Sequence, residues 1–247
     1  MDLGLQDRVI LVTGGAKGIG LGIVKVLAAE GALPVVVGRS AEDNEAAVRA
    51  ELTRTEDCRH AVEAAVTRFG RVEGLVNNAG VNDGAGLEHG DPGRFAESLR
   101  RNLTHYYEMA HFALPELKRS RGPIVNIGSK VAETGQGGTS GYAAANGGRN
   151  SLTREWAVEL AKYGIRVNAV IVAECWTPLY ARWIQTFPDP ETARRRIEAK
   201  VPFEGCMTTC AEIAHTVAFL LSPRSAHTTG QLIHIDGGYV HLDRAMT

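Results

Sequence analysis

The 247-residue sequence predicts an α/β fold, a doubly wound parallel sheet in a single domain spanning residues 1–247. Three observations carry this. Short β-branched runs alternate with longer segments whose apolar residues recur at helical spacing. A glycine-rich turn joins the first run to the first helical segment. Hydrophobic residues make up 44% and charged residues 22% of the chain, which is globular composition rather than that of a disordered, collagen-like or coiled-coil protein. Neither an internal repeat nor a linker divides it.

Taken in order, residues 9–12, 34–37, 74–76, 124–127, 167–172 and 232–235 read as buried strands, because each is a short apolar run rich in Val and Ile. Residues 20–30, 55–69, 94–119, 142–163 and 211–221 read as helices. The alternation implies right-handed crossovers that cover both sheet faces. One edge resists the scheme. Between residues 37 and 51 there is little room for a helix and a further strand, since a parallel crossover takes about 10–12 residues. Either 49–53 forms a stunted strand or 41–52 forms a helix with no strand after it, so a short or irregular edge is expected near residues 40–54.

Lys plus Arg is 27 and Asp plus Glu is 28, a net charge of −1. This balance excludes a basic surface for nucleic acid or anionic membrane. No run approaches the roughly 18 apolar residues of a membrane span, and no apolar stretch precedes the first strand, so a soluble cytoplasmic protein is expected. The cysteines (Cys58, Cys175, Cys206, Cys210) are too few for a disulfide scaffold. Cys206 and Cys210 lack CxxC spacing and a paired His cluster, so structural thiols and no metal site are expected.

The first strand runs into Thr13 and then Gly14-Gly15-Ala16-Lys17-Gly18-Ile19-Gly20. Glycines let backbone approach a pyrophosphate closely, and the following helix N-terminus offers free N–H groups and partial positive charge. A dinucleotide is the expected ligand. The spacing TGxxxGxG, with Asn77-Asn78-Ala79-Gly80 after the 74–76 strand, resembles the short-chain dehydrogenase/reductase family, a Rossmann fold. The resemblance runs from Leu5 to Asp236-Gly237-Gly238. It implies that Gly14, Gly18, Ile19 and Gly20 cradle the cofactor and that Asn78, Ala79 and Gly80 line the adenosine ribose. Where NAD-preferring relatives end the second strand in an acidic residue, this chain has Gly38-Arg39. A guanidinium there pairs with a 2′-phosphate, and Lys17 adds a second charge, so NADP is expected, with NAD possible.

The family's chemistry uses Asn, Ser, Tyr and Lys, and the resemblance places Asn102, Ser129 and Tyr142 in the first three roles. Tyrosine exchanges a proton with the substrate oxygen, serine orients that oxygen, and asparagine serves a proton relay. Tyr142 lies thirteen residues after Ser129, the family spacing. The fourth member departs from the pattern, because YxxxK reads Tyr142-Ala143-Ala144-Ala145-Asn146. Positions i and i+4 share a helical face, so the place is right while the charge is missing. An ordinary phenol ionises at about pH 10, and each unit of lost shift is roughly tenfold in phenolate. Weakened catalysis with retained cofactor binding is therefore expected, and a lysine at 146 is expected to raise turnover. Arg149 lies seven residues beyond Tyr142, roughly 10 Å along the axis, too far for direct rescue. Lys130 is expected to contact substrate or lie on the surface.

After the 167–172 strand the segment Val172-Ala173-Glu174-Cys175-Trp176-Thr177 keeps the threonine that relatives use against the nicotinamide but not their Pro-Gly. Residues 129–130, 134–142 and 237–244 resemble the branch of L-fucose and related aldose dehydrogenases. That resemblance implies a polyol substrate met by Ser129, Lys130, Gln136, Glu174 and Asn82, and a homotetramer built partly from the Tyr142 helix. Two functions follow: an NADP-preferring oxidoreductase acting on a sugar or other alcohol or carbonyl, and a catalytically inactive nucleotide-binding member of the same fold.

Overall fold

The computed structural model describes residues 2–39 and 47–242. Seven parallel strands form one sheet: β1 (Val9–Thr13), β2 (Leu33–Gly38), β3 (Ala47–Arg49), β4 (Gly74–Asn77), β5 (Ile124–Ser129), β6 (Val167–Val172) and β7 (Leu232–Ile235). Their spatial order is β3-β2-β1-β4-β5-β6-β7. All strand pairings are parallel, with Leu11 facing Val35 on one side and Leu75 on the other. The chain crosses from β1 outward to β2 and then back over to β4, which opens a crevice at the carboxyl ends of β1 and β4.

The strands are apolar throughout because both faces are covered. Val9 and Leu11 point into one core layer with Cys58 and Ala61 of α2 (Thr55–Phe69), and with Met109 and Trp156. Ile10 and Val12 point into the other with Ile23 and Leu27 of α1 (Gly18–Ala29), and with Ile213 and Val217. Fully burying one such side chain stabilises the fold by about 1.5–3 kcal/mol.

The edge near residue 40 resolves in favour of a strand. β3 is three residues long and pairs with β2 through Ala47, Val48 and Arg49, two residues earlier than the 49–53 alternative. The helix alternative fails over residues 47–49; its residues 41–46 lie outside the described residues. The strand is anchored because Ala50 N donates to Gly38 O and Ala50 and Leu52 bury against the core.

The single helix expected at 94–119 is two helices, α3 (Pro92–Leu99) and α4 (His105–Ser120), joined by a π-helical turn at Arg100–Thr104. Such wide turns recur at functional sites. After β5 come a one-turn helix α5 (Val131–Thr134) and the long α6 (Ser140–Ala161). Two helices absent from the sequence reading follow β6: α7 (Pro178–Ile184) and α8 (Pro190–Glu198). Both carry a legible start signal, a Thr177 or Asp189 cap followed directly by proline. α9 (Cys210–Leu221) opens with a reciprocal Thr209–Glu212 capping box. Among the described residues no helix is long and apolar enough to cross a membrane.

Candidate active site

The crevice at the carboxyl ends of the strands is a cleft of about 600 Å³, lined by the glycine-rich turn, the ends of β2, β4, β5 and β6, and residues of α6 and α7. Its floor is tied together by Thr13 and Asn78. The Asn78 amide donates to Thr13 O at 2.8 Å, and the N–H groups of Asn78 and Ala79 donate to the Thr13 hydroxyl at 2.8 and 3.1 Å. Thus β4 ends against the phosphate turn. Gly14 and Gly18 have φ of +67° and +56°, which only glycine adopts without strain. A Cβ on Gly20 would stand 2.3 Å from Gly14 O, so the turn closes only with glycine there. Lys17, at the N-cap of α1, makes no side-chain cap bond, which leaves the helix's first N–H groups for an anion. This cradle suits a dinucleotide pyrophosphate.

Lys17 and Arg39 both line the cleft, as the sequence reading placed them. Arg39 is mostly exposed and stands 3.9 Å from Glu51, a cleft residue the sequence reading missed. At that distance between exposed groups the pair holds Arg39 weakly.

Ser129 and Tyr142 both face the cleft. Ser129 is the last residue of β5, and Tyr142 lies on the first turn of α6. Asn102 sits fully buried in the π turn, its side chain accepting from Val81 N at 2.7 Å and donating to Ser98 O at 3.0 Å. Its backbone carbonyl accepts from Arg149 Nε at 2.7 Å. Asn146 is also fully buried; its amide donates to Tyr142 O at 2.9 Å and its Oδ1 accepts from Arg149 Nη1 at 3.0 Å.

Arg149 reaches further than its place along the helix axis suggests. Two helical turns separate its backbone from Tyr142, but helical side chains lean toward the N-terminus and an arginine is long. The guanidinium therefore reaches back to Asn146 and into the cleft lining. It also donates to Ile127 O at 3.1 Å and lies over the Tyr106 ring at 4.2 Å. Two neighbouring titratable groups are held neutral. Burial, then the Arg149 charge, pushes His105 down to about 3, and burial pushes Tyr106 up to about 12.

The residues expected to meet substrate divide. Lys130 is buried and ion-paired with the half-buried Glu174, with the ammonium 3.7 Å over the Tyr239 ring. They reach the cleft through Tyr180, which lines it and donates to Glu174 Oε2 at 2.8 Å. Burial, then the Glu174 carboxylate, pushes the Tyr180 phenol up. Lys130 and Glu174 are not themselves lining residues of the cleft. Gln136 is exposed on the segment after α5 and is not a lining residue either. Asn82 lines the cleft. Thr177 lines it too and caps α7, accepting from Tyr180 N at 3.2 Å.

At the cleft wall, where Cys175 is a lining residue, the two thiols Cys175 and Cys210 approach to 3.9 Å. The hydrogen bond from Cys175, joined by a backbone N–H at the helix start, lowers Cys210 to about 7. The same contact and burial push Cys175 up. Glu133, His234 and His241 place one donor atom each within 4.8 Å of one another, with His234 Nε2 bonded to Glu133 at 3.0 Å.

The fold and cleft define a nucleotide-binding α/β protein with a phenol and a hydroxyl presented beside the cofactor cradle. Residues 14–240 match the family model described as enoyl-(acyl carrier protein) reductase. The bovine (Bos taurus) L-fucose dehydrogenase is 34% identical over 241 residues, covering 94% of this chain and 88% of that protein. The solved structure of Cj0485 dehydrogenase superposes with a TM-score of 0.97 at 42% identity, covering 100% of this chain and 99% of that one. The Thermoplasma acidophilum aldohexose dehydrogenase superposes with a TM-score of 0.94 at 27% identity, over 100% and 99%. The chain belongs to the short-chain dehydrogenase/reductase family, whose members are oxidoreductases that use nicotinamide cofactors.

Proposed function

We propose that this chain is an NADP-preferring dehydrogenase/reductase that interconverts a secondary alcohol and its carbonyl, with an aldose such as L-fucose as substrate. The observation that carries it is the convergence of Ser129 and Tyr142 on one cleft with the glycine cradle. Gly14, Gly18, Ile19 and Gly20 would hold the pyrophosphate, Asn78, Ala79 and Gly80 the adenosine side, and Thr177 the nicotinamide side. Lys17 and Arg39 are the two cations toward the second strand and support NADP.

When bound, the nicotinamide supplies the hydride acceptor or donor. The protein supplies the rest. Tyr142 Oη passes a proton to or from the substrate oxygen, and Ser129 Oγ donates a hydrogen bond that fixes that oxygen. Asn102 is held rigid at both ends of its side chain, so its carbonyl stays in place beside Arg149. The sugar reading is supported by the names of the relatives and by the polar groups of Tyr180 and Asn82 on the cleft wall, with the Glu174–Lys130 pair behind Tyr180. The proposed assembly is a homotetramer that uses α4 and α6, whose Tyr107 and Val158 are exposed.

Asn146 favours a second reading, a member that binds nucleotide without turnover. Titration with NADP and NAD, then turnover with L-fucose, D-arabinose and simple alcohols, separates the two. Turnover that disappears in Tyr142→Phe with cofactor affinity unchanged supports the enzyme. Tight binding with no turnover on any alcohol supports the second reading.

A further inference from the structure

Arg149 is 3% exposed, and among the described residues no carboxylate pairs with its charge; its partners are two carbonyls, one amide and a ring face. Burying a cation without a counter-ion is costly, so stability alone gives no reason for it. Its Nη2 is buried with no hydrogen-bond partner, on a side chain that lines the cleft. A Cβ on Gly80 would come within 3.0 Å of that nitrogen, so the glycine keeps the corner open. The other titratable groups facing Arg149 are Tyr106 and His105 from α4, both held neutral by burial. Arg101 and Glu97 at the cleft wall neutralise each other through a 2.8 Å ion pair. The guanidinium is thus an uncompensated charge in a low-dielectric wall, and an arginine keeps its charge at every pH at which proteins fold.

We propose that Arg149 supplies the positive charge of the Tyr142 site, with Asn146 as the adaptor that holds the guanidinium to the Tyr142 backbone. Its unpartnered Nη2 donates to a ribose hydroxyl of the bound nucleotide. The helix carries its cation at position 149 and not at 146, and turns the arginine back by its length. Both the nucleotide contact and the stabilisation of Tyr142 rest on the dehydrogenase reading. Negative charge that develops on the Tyr142 oxygen during proton transfer is stabilised by a fixed cation rather than by a titrating one.

The test uses the whole protein and Arg149→Gln, Arg149→Lys and the exchange Asn146→Lys/Arg149→Gln, each checked for folding by circular dichroism. The first readout is NADP affinity by calorimetry. Arg149→Gln is expected to weaken it about tenfold, the worth of one lost charge-assisted hydrogen bond. The second is turnover against pH, whose ascending limb should lie at higher pH in Arg149→Gln than in the natural protein. The exchange variant should recover both. A merely structural arginine would lower turnover by one factor at all pH values and leave NADP affinity in place, and that result overturns the proposal. If Arg149→Gln does not fold, Arg149→Lys carries the test: its shorter side chain leaves the place of Nη2 empty, so NADP affinity about tenfold weaker supports the proposal and affinity equal to that of the natural protein overturns it. Absence of turnover in a natural protein that binds NADP refutes the dehydrogenase reading, while the affinity comparison still decides the contact made by Arg149.

Discussion

Asn146→Lys restores the family's motif on paper, but the contacts of Asn146 set a cost in stability against the expected gain in turnover. The Asn146 amide is spent at both ends, and Arg149 Nη1 stands 3.0 Å from its Oδ1. A lysine ammonium placed there meets a guanidinium. Two unit charges ~4 Å apart repel by about 4 kcal/mol at the effective dielectric of a protein site. Loss of the hydrogen bond that Arg149 makes to Asn146 adds about 1.5–3 kcal/mol. The lysine recovers part of this by swinging toward the cleft or by shedding its proton, which leaves a net loss of about 3 kcal/mol. In a protein of this size that is a melting temperature lower by roughly 6–12 °C. Thermal and urea denaturation of Asn146→Lys, Arg149→Gln and the double variant measure it as a cycle. A coupling of about 2 kcal/mol or more in favour of the double variant is expected. If Asn146→Lys alone melts with the natural protein and turns over faster near neutral pH, position 146 is simply a lost cation and the reasoning fails.

Three further outcomes follow from measured contacts. Arg39→Asp removes a cation from the cleft beside β2 and should shift the ratio of NADP to NAD affinity toward NAD by at least about tenfold, read by cofactor titration; an unchanged ratio removes Arg39 from the proposed 2′-phosphate site. Glu174→Gln leaves the buried Lys130 ammonium without its partner and should cost about 3–5 kcal/mol in urea denaturation, with Lys130→Met/Glu174→Gln recovering much of it. Cys210 is lowered to about 7 and so should be largely thiolate just above neutrality; its alkylation, followed by mass spectrometry, should slow about tenfold for each unit of pH below 7. In Cys175→Ala the midpoint should move alkaline, because the donor that lowers Cys210 is gone. An alkylation rate that goes on rising about tenfold per pH unit through about pH 8, with no plateau, would show that the thiol contact does not form.

What was legible in the sequence is what period and local spacing encode. Six strands, the glycine turn and the placement of Ser129 and Tyr142 on one cleft all rest on patterns within a few residues of one another. The short edge was foreseen as a difficulty and came out as β3, because only the pairing partner β2 decides between a strand and a helix in so brief a segment. Helices α7 and α8 were overlooked because a search for apolar periodicity passes over segments that bury little, although their caps and prolines announce them. The Lys130–Glu174 pair was out of reach, since its members are 44 positions apart and each alone reads as a polar loop residue.

Arg149 is the instructive case, because its position on the Tyr142 face was visible while the reach of its side chain was not. Distance along a helix axis bounds where a backbone sits and says little about where a long side chain ends. A helix-borne arginine reaches back toward its own N-terminus, and it does so here because three acceptors await it: Asn102 O in the π turn, Ile127 O on β5 and Asn146 Oδ1. Two of those acceptors come from other elements and exist only once the sheet and the wide turn have formed. The same argument reassigns Asn146. By motif alone it is a defect, a lysine lost from a catalytic set. In the folded site it is a neutral residue with both amide ends engaged, which a lysine in contact with that guanidinium could not be. The neutral amide at 146 and the cation that reaches it from 149 are therefore one hydrogen-bonded arrangement, and neither residue's role can be judged without the other.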